Sequence, residues 1–401
     1  MLALKKALES HPIVYITRDI ERAIGLSPSI ENYYIVSNHN HFAKSIPPNP
    51  SILLIKEGEK LDTRELLEHP ETIKFINRLK NPGLLVFKNT PQIEKICQIK
   101  NWKLLNPSAE LANRVEEKIS QVEWLGKLSR YLPPHTIAEL KNIRWKGKKF
   151  IIQFNRAHTG SGTMLVSSKK QLQELQSAFP DRPVRITQFI AGPMFTNNNI
   201  VWDKKVFIGN INYQITGLPP FTDQPFATVG NDWALPHKIL NTEQIKQYKK
   251  IVNDIGKKLA SDGWKGLFGI DVVMDQKTGK LFLIEINARQ PASTTYESQL
   301  QQRTKNYTVF EAHLASLLNL KSNGEALAKI NDGAQVIQRV LSIKYKVSGK
   351  VIEQLQKSGL NVIQYENTKP GEDLLRIQSQ HGIMAGHNKF NKVGKQIAAE
   401  L

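Results

Sequence analysis

Three polar side chains at two-residue spacing follow an apolar run in the stretch KLFLIEINARQP, residues 280–291. In an extended chain, Glu285, Asn287 and Arg289 all point to one face. That face begins with Leu281 and Leu283, so it is not a plain solvent face. A carboxylate, an amide and a guanidinium in one row offer oxygen ligands for a cation next to a group that binds anions.

A second carboxylate is predicted to face this row across a hairpin. The stretch GIDVVMDQKTGKLFLIEIN indicates two strands joined by a five-residue loop, residues 276–280. A regular register places Val273 opposite Leu283 and Asp271 opposite Glu285. Directly opposed side chains have Cβ atoms about 5 Å apart, and like charges at that distance repel each other. The predicted register is therefore unfavourable unless a cation lies between the two carboxylates.

The predicted cation site suits a hard divalent metal. The oxygens of Asp271, Glu285 and Asn287 are of the kind that Mg²⁺ accepts while it bridges to phosphates, and Mn²⁺ is a second option. The alternative is a solvent-facing hairpin end with incidental charges. Arg289 favours the metal site, because its guanidinium can neutralise an anion that shares the metal.

Two further stretches stand out, a glycine-containing loop that could approach phosphate and a strand that on its own indicates no function. A loop with Gly160, Ser161, Gly162 and Thr163 connects two predicted strands, FIIQF and TMLVSS. Glycines let backbone N–H groups approach phosphate closely, although an ordinary turn has the same composition and no Walker motif occurs. The other stretch, VRITQFIAGP at 184–193, indicates a strand that ends at a Gly-Pro break.

The composition is that of a globular protein with an unusual charge. The 401 residues include 55 Lys and Arg against 36 Asp and Glu, a net charge of +19. Basic residues are scattered, so we expect a diffuse basic surface more than a nucleic-acid groove. The single cysteine excludes an intramolecular disulfide, no run is long enough to span a bilayer, and the first ten residues lack a signal core. A cytoplasmic protein without membrane contact is expected.

The order of predicted elements indicates several domains. Four apolar runs before residue 106 predict the strands of a mostly parallel α/β sheet. A helix is predicted through Lys118 and Trp124, and the clearest helix spans 241–263, with Asn241 as its N-cap. The remaining residues mix strand and helix patterns. These features predict domains at 1–106, 107–320 and 321–401.

Taken together, the helix with its lysine, the Gly loop between strands, TQFIAG and the hairpin ending in E-x-N-x-R resemble the ATP-grasp superfamily over about residues 106–320. This superfamily includes carboxylate–amine ligases, biotin carboxylase and carbamoyl-phosphate synthetase. The resemblance implies a two-subdomain ATP-grasp fold, preceded by an α/β domain like those that precede it in the superfamily and followed by a small α+β region. It also implies ATP and Mg²⁺ as ligands.

The resemblance assigns roles by position. It implies metal binding by Asp271, Glu285 and Asn287, and places Arg289 beside the reacting phosphoryl group as the catalytic residue. The residues expected to bind the nucleotide are Lys118, Gln153, Gly160, Ser161, Gly162, Thr163, Gln188, Phe189 and Ile190. Gln153 departs from the family, which usually carries a lysine there, so this strand brings hydrogen bonds but no charge.

The expected function is an ATP-dependent ligase that activates a carboxylate as an acyl phosphate for attack by an amine, or less readily a thiol, with release of ADP and phosphate. Its substrates would be a small acid and a small amine. A bicarbonate-phosphorylating carboxylase or carbamoyl-phosphate-type enzyme is one alternative. A nucleotide- or nucleic-acid-binding protein without turnover is another, prompted by Gln153 and the charge. A homodimer is left open.

Overall fold

The computed structural model describes residues 2–155, 162–302, 304–341, 346–365 and 367–401. Within them the chain forms a parallel sheet, a small antiparallel sheet and a large antiparallel sheet. No helix among the described residues is long and apolar enough to cross a membrane.

The N-terminal unit is a five-stranded parallel sheet with apolar cores on both faces. The strand order is β3-β2-β1-β4-β5, as expected when helices connect successive strands. The predicted parallel α/β arrangement is confirmed. The elements are α1 (Leu2–Ser10), β1 (Ile13–Thr17), β2 (Tyr33–Asn38), α2 (His41–Lys44), β3 (Ile52–Ile55), α3 (Thr63–Glu68), α4 (Pro70–Asn77), β4 (Gly83–Val86), α5 (Pro91–Ile99) and β5 (Lys103–Leu104).

A small four-stranded sheet follows, in the order β6-β9-β7-β8. Ile152, Phe154 and Val184 face its own apolar core, so the residues that alternate with them on β7 and β9 lie on the opposite face. The elements are α6 (Ala109–Glu116), α7 (Ser120–Leu125), β6 (His135–Glu139), β7 (Phe150–Phe154), β8 (Thr163–Val166), α8 (Lys169–Ala178) and β9 (Pro183–Gln188).

The large sheet runs β15-β14-β10-β12-β13-β16-β18-β17, and β11 pairs with β10. The C-terminal strands β16–β18 extend the same sheet. The domain boundaries at residues 106 and 320 stay predictions. The elements are β10 (Met194–Trp202), β11 (Lys205–Phe207), β12 (Asn212–Thr216), β13 (Thr228–Asp232), α9 (Pro236–Ile239), α10 (Thr242–Ser261), β14 (Gly266–Met274), β15 (Leu281–Asn287), α11 (Thr294–Gln301), α12 (Val309–Leu317), β16 (Ala334–Arg339), α13 (Gly349–Lys357), β17 (Asn361–Gln364), β18 (Asp373–Ser379), β19 (Met384–Gly386), β20 (Lys389–Phe390) and α14 (Lys392–Glu400).

Helix α10 shows how local sequence and packing agree. Asn241 caps its start and forms a capping box with Gln244, as the sequence predicts. Its apolar stripe, including Tyr248 and Ile255, packs into the core behind the large sheet. The helix thereby covers the apolar side chains of β14 and β15, and its Tyr248 hydroxyl donates to Asn197 Oδ1 of β10 at 3.2 Å.

The predicted continuous helix through Lys118 is wrong, because the chain leaves the helix after Glu116 and resumes at Ser120. Asn155, at the end of β7, is the physical reason. Its backbone carbonyl accepts from the N–H of Lys118 at 3.3 Å, and its side-chain oxygen accepts from the N–H of Ile119 at 2.9 Å. These contacts with the small sheet replace the helical hydrogen bonds at the break.

Candidate functional site

The hairpin of β14 and β15 brings two carboxylates face to face. Asp271 lies directly opposite Glu285, as predicted, but the regular register beyond them is wrong. A bulge leaves Ile284 unpaired, so that Leu283 faces Val272. Leu283 therefore points into the apolar core, although it lies two residues before Glu285. The bulge explains how one strand carries apolar residues into a polar row: it turns the strand over between them.

The two carboxylates have different electrostatic surroundings. Burial, together with the charge of Glu285, raises the pKa of Asp271 to about 6. Burial alone would also raise the pKa of Glu285, but Lys118, whose Nζ donates to Glu285 Oε1 at 2.8 Å, brings that pKa below its ordinary value. The pair therefore combines one carboxylate that is neutralised by a lysine with one that has no ion-pair partner in the described part of the chain.

The donor set fits a divalent cation shared with a ligand. Asp271 Oδ1 is buried and accepts no hydrogen bond from any described residue, which leaves an oxygen available to a cation. Asn287 lies beside it, and its Nδ2 donates to Asp271 Oδ2 at 3.3 Å. In the described part of the chain no cluster of three or more His, Cys, Asp or Glu suits a metal. Two carboxylates and one amide match a hard metal that takes its remaining oxygens from water and phosphate.

Arg289 connects the polar row to the N-terminal unit. Its Nη2 donates to Asn287 Oδ1 at 2.7 Å, and its Nε lies 3.3 Å from Glu116 Oε1. The guanidinium also lies 5.6 Å from the centre of the Phe87 ring, just beyond β4. Arg289 thus lies beside the predicted metal ligands, and Asn287 Oδ1 keeps a second lone pair with which it could coordinate a metal.

Gln153 is buried on the face of the small sheet opposite to its core. Its Oε1 accepts from Arg185 Nε at 2.8 Å. Thr163 is its pairing partner on β8, and Gly162 accepts from the N–H of Phe154 at 2.9 Å. Of the predicted Gly loop these two residues are described, whereas Gly160 and Ser161 lie outside the described residues.

Gln188 ends β9, and Phe189 and Ile190 form the crossing from the small sheet to the large one. The N–H of Gln188 donates to the carbonyl of Pro134 at 2.9 Å, and Gln276 donates to the carbonyl of Ala191 at the same distance. The crossing segment is therefore fixed at both ends by backbone hydrogen bonds. Its position between the sheets suits the predicted backbone contact with a base.

Arg185 is a buried residue of this region that the sequence reasoning did not single out. It lies directly opposite Gln153 and hydrogen-bonds to Gln121, and to the carbonyl of Ile284 in the large sheet. The local sequence gives no signal for its burial, because in V-R-I-T the arginine takes the polar position of a regular apolar-polar alternation, which is typical of a half-buried strand. It was missed because the stretch was interpreted as an ordinary strand.

Comparisons with known proteins identify a domain within the chain and the fold of the chain. A family model described as the ATP-grasp domain matches residues 115–293. No curated protein matches the sequence at a significant level. Among solved structures, N5-carboxyaminoimidazole synthetase from Staphylococcus aureus is similar, with a TM-score of 0.67 at 11% identity over 97% of each chain. Carboxyaminoimidazole ribonucleotide synthase from Aspergillus clavatus, complexed with ATP, gives 0.66 at 14% over 98% of each chain.

An L-amino acid ligase from Bacillus licheniformis has a TM-score of 0.63 at 13% identity, over 93% of each chain. At such low sequence identity, the structural similarity shows that the fold is shared and shows nothing beyond the fold. The similarity spans nearly the whole chain, so it includes the N-terminal parallel sheet and the C-terminal strands as well as the matched domain. The predicted fold class is confirmed.

Proposed function

Because residues 115–293 form an ATP-grasp domain, we propose that the protein is an ATP-dependent ligase. It activates a small carboxylic acid as an acyl phosphate, which an amine then attacks, and it releases ADP and phosphate. The observation that carries the proposal is the opposed pair of the buried Asp271 and the half-buried Glu285, with Asn287 beside it and a lysine and an arginine at its rim. The resemblance to a synthase solved with ATP and to an amino acid ligase supports it.

Asp271, Glu285 and Asn287 would hold Mg²⁺, which when bound neutralises phosphate oxygens and fixes their positions. Lys118 has two proposed roles beside these metal ligands. Its ammonium group keeps Glu285 ionised and is itself close enough to the metal position to contact a phosphate. Lys118 therefore keeps a metal-binding carboxylate negatively charged and also offers a positive charge to the nucleotide phosphates.

Arg289 is proposed to contact the transferred phosphoryl group or the carboxylate that accepts it. Its planar fork suits two parallel hydrogen bonds to either anion. Negative charge on the phosphoryl oxygens must be stabilised during transfer, so a positioned guanidinium lowers the barrier more than it strengthens ground-state binding. The reaction requires positioning and charge neutralisation, and no protein nucleophile is assigned a role.

An ADP-release screen tests the proposal. The purified protein is incubated with ATP, Mg²⁺ and each of a panel of amino acids and small acids, with and without an added amine and with and without bicarbonate. Products are identified by mass. We expect ADP and phosphate to appear with one acid–amine pair, together with a product joined by an amide bond.

The other outcomes separate the alternatives. ADP release that depends on bicarbonate would favour the bicarbonate-phosphorylating enzyme. AMP and pyrophosphate in stoichiometric amounts would contradict the acyl-phosphate route. A third outcome would be that the protein binds ATP but turns it over with none of the acids, nor with bicarbonate, nor with added nucleic acid. This outcome would favour a binding protein. We also propose the cytoplasm as its compartment, which agrees with a single buried cysteine.

A further inference from the structure

Arg185 occupies an unusual position for an arginine, because it is only 1% exposed. It lies on β9 directly opposite Gln153 on β7, on the face turned away from the apolar core of the small sheet. Its guanidinium reaches across to α7 and β15. Nε donates to Gln153 Oε1 at 2.8 Å, Nη1 to Gln121 Oε1 at 2.9 Å, and Nη2 to the Ile284 carbonyl at 3.4 Å.

All of these hydrogen-bond acceptors are neutral. A buried cation usually has a carboxylate partner, because desolvation without one is costly. The nearest acid, Glu285, is already paired with Lys118, and its charge also acts on Arg289 and Arg185. Arg289 is also paired with Glu116, whereas Arg185 has no ion-pair partner among the described residues. Burial lowers the pKa of Arg185 to about 10, so it remains charged at neutral pH.

A buried guanidinium whose hydrogen-bond partners among the described residues are all neutral calls for an anion. We propose that Arg185 binds a phosphate of the bound nucleotide, and so supplies from β9 the positive charge that Gln153 cannot supply from β7. This inference rests on the proposed function, since it concerns the nucleotide of the same site. Nη2 is the atom that turns to the phosphate, because its bond to Ile284 is the longest of the three and the easiest to exchange.

The pairing of Arg185 with Gln153 suggests a charge-relocation experiment. The single variant Arg185→Gln removes the charge and keeps a hydrogen-bonding side chain. The double variant Gln153→Lys/Arg185→Gln moves a positive charge to the neighbouring strand. The matched control is Arg182→Gln, because Arg182 lies three residues away and packs on the rings of Phe154 and Phe179 instead.

Affinities for ADP and for adenosine are measured by calorimetric titration on each folded variant. We expect Arg185→Gln to weaken ADP binding about 10- to 100-fold, as for the loss of a hydrogen bond to a charged group. Adenosine binding should be unchanged, because adenosine has no phosphate. The double variant should regain most of the ADP affinity, and Arg182→Gln should match the parent protein.

Unchanged ADP affinity in Arg185→Gln would overturn the inference, and so would an equal loss for ADP and adenosine, which indicates a structural role. If Arg185→Gln does not fold, the double variant decides: near-parent ADP affinity supports the inference, and its loss overturns it. A parent protein that binds no ADP would overturn the proposed function as well. If the parent protein and Arg185→Gln bind ADP equally well, only the proposed role of Arg185 is overturned.

Discussion

Glu297 lies on α11, the helix that follows the segment containing Arg289, and its carboxylate has no cation partner among the described residues. It is fully buried against β10. Its Oε1 accepts from the Asn210 backbone at 3.3 Å and side chain at 2.8 Å, and its Oε2 accepts from the Asn198 side chain. Burial raises its pKa from 4.5 to about 7. We expect this carboxylate to make the stability of the protein depend on pH.

The sign and size of the dependence follow from linkage. Between pH 4.5 and pH 7 the folded protein keeps a proton on Glu297 that the unfolded chain has already lost, so stability falls as the pH rises through this window. At 1.36 kcal/mol per pH unit, the loss amounts to about 3 kcal/mol at pH 8 relative to pH 4. Glu297→Gln removes the titrating group. The difference in unfolding free energy between variant and parent should therefore shift by about 3 kcal/mol in favour of the variant across the same window.

Urea unfolding of both proteins at several pH values between 4 and 8 measures this difference, and other titrating groups cancel in the comparison. A pH-independent difference in unfolding free energy between the two proteins would not contradict the prediction, because the Asn198 amide must reorient toward a glutamine. The control Glu353→Gln changes an exposed carboxylate on α13 and should follow the curve of the parent protein. Parallel curves for Glu297→Gln and the parent would refute the reasoning, since Glu297 would then titrate alike in the folded and unfolded states.

Further expectations concern the site itself. Glu285→Gln should abolish ADP release while leaving the fold intact, as seen by circular dichroism, because it removes a proposed metal ligand; near-parent turnover would exclude that role. Arg289→Lys should lower the turnover rate far more than ATP affinity, because a lysine lacks the planar fork; steady-state kinetics and titration on the same variant check this, and equal turnover would contradict it. Gly269→Ala should cost about 1–3 kcal/mol of stability and reduce activity, because its Cβ would lie 2.9 Å from Pro291 and 3.2 Å from Asn287. Gly349→Ala meets no atom within 4 Å and serves as its control in thermal unfolding.

Much of the fold could be predicted where local signals are strong. Apolar runs fixed the first four strands, because a strand buried on both faces needs continuous hydrophobicity. The periodicity and capping box of α10 fixed its start and its buried face. These features depend on interactions within a few residues, which is why the sequence alone contains them.

The site could be predicted less completely. The placement of Asp271, Glu285, Asn287 and Arg289 in one row followed from their spacing, whereas the bulge at Ile284 did not. A bulge inserts one residue without a clear compositional signal at a non-glycine position. Arg185 and Glu297 were missed for another reason: their burial depends on elements distant in sequence, and a charged residue is usually expected at the surface.

The sequence by itself determined the types of the chemical groups and most of the strands and helices that carry them, because local spacing and short-range hydrogen bonding decide these. The tertiary structure decided which groups are charged and how they are oriented. Asn155 ends the helix before Lys118 and so lets the lysine reach Glu285. The approach of the small sheet to β15 buries Arg185 among neutral oxygens. Such effects depend on the removal of water by distant segments, and desolvation is a property of the folded arrangement that no local pattern contains.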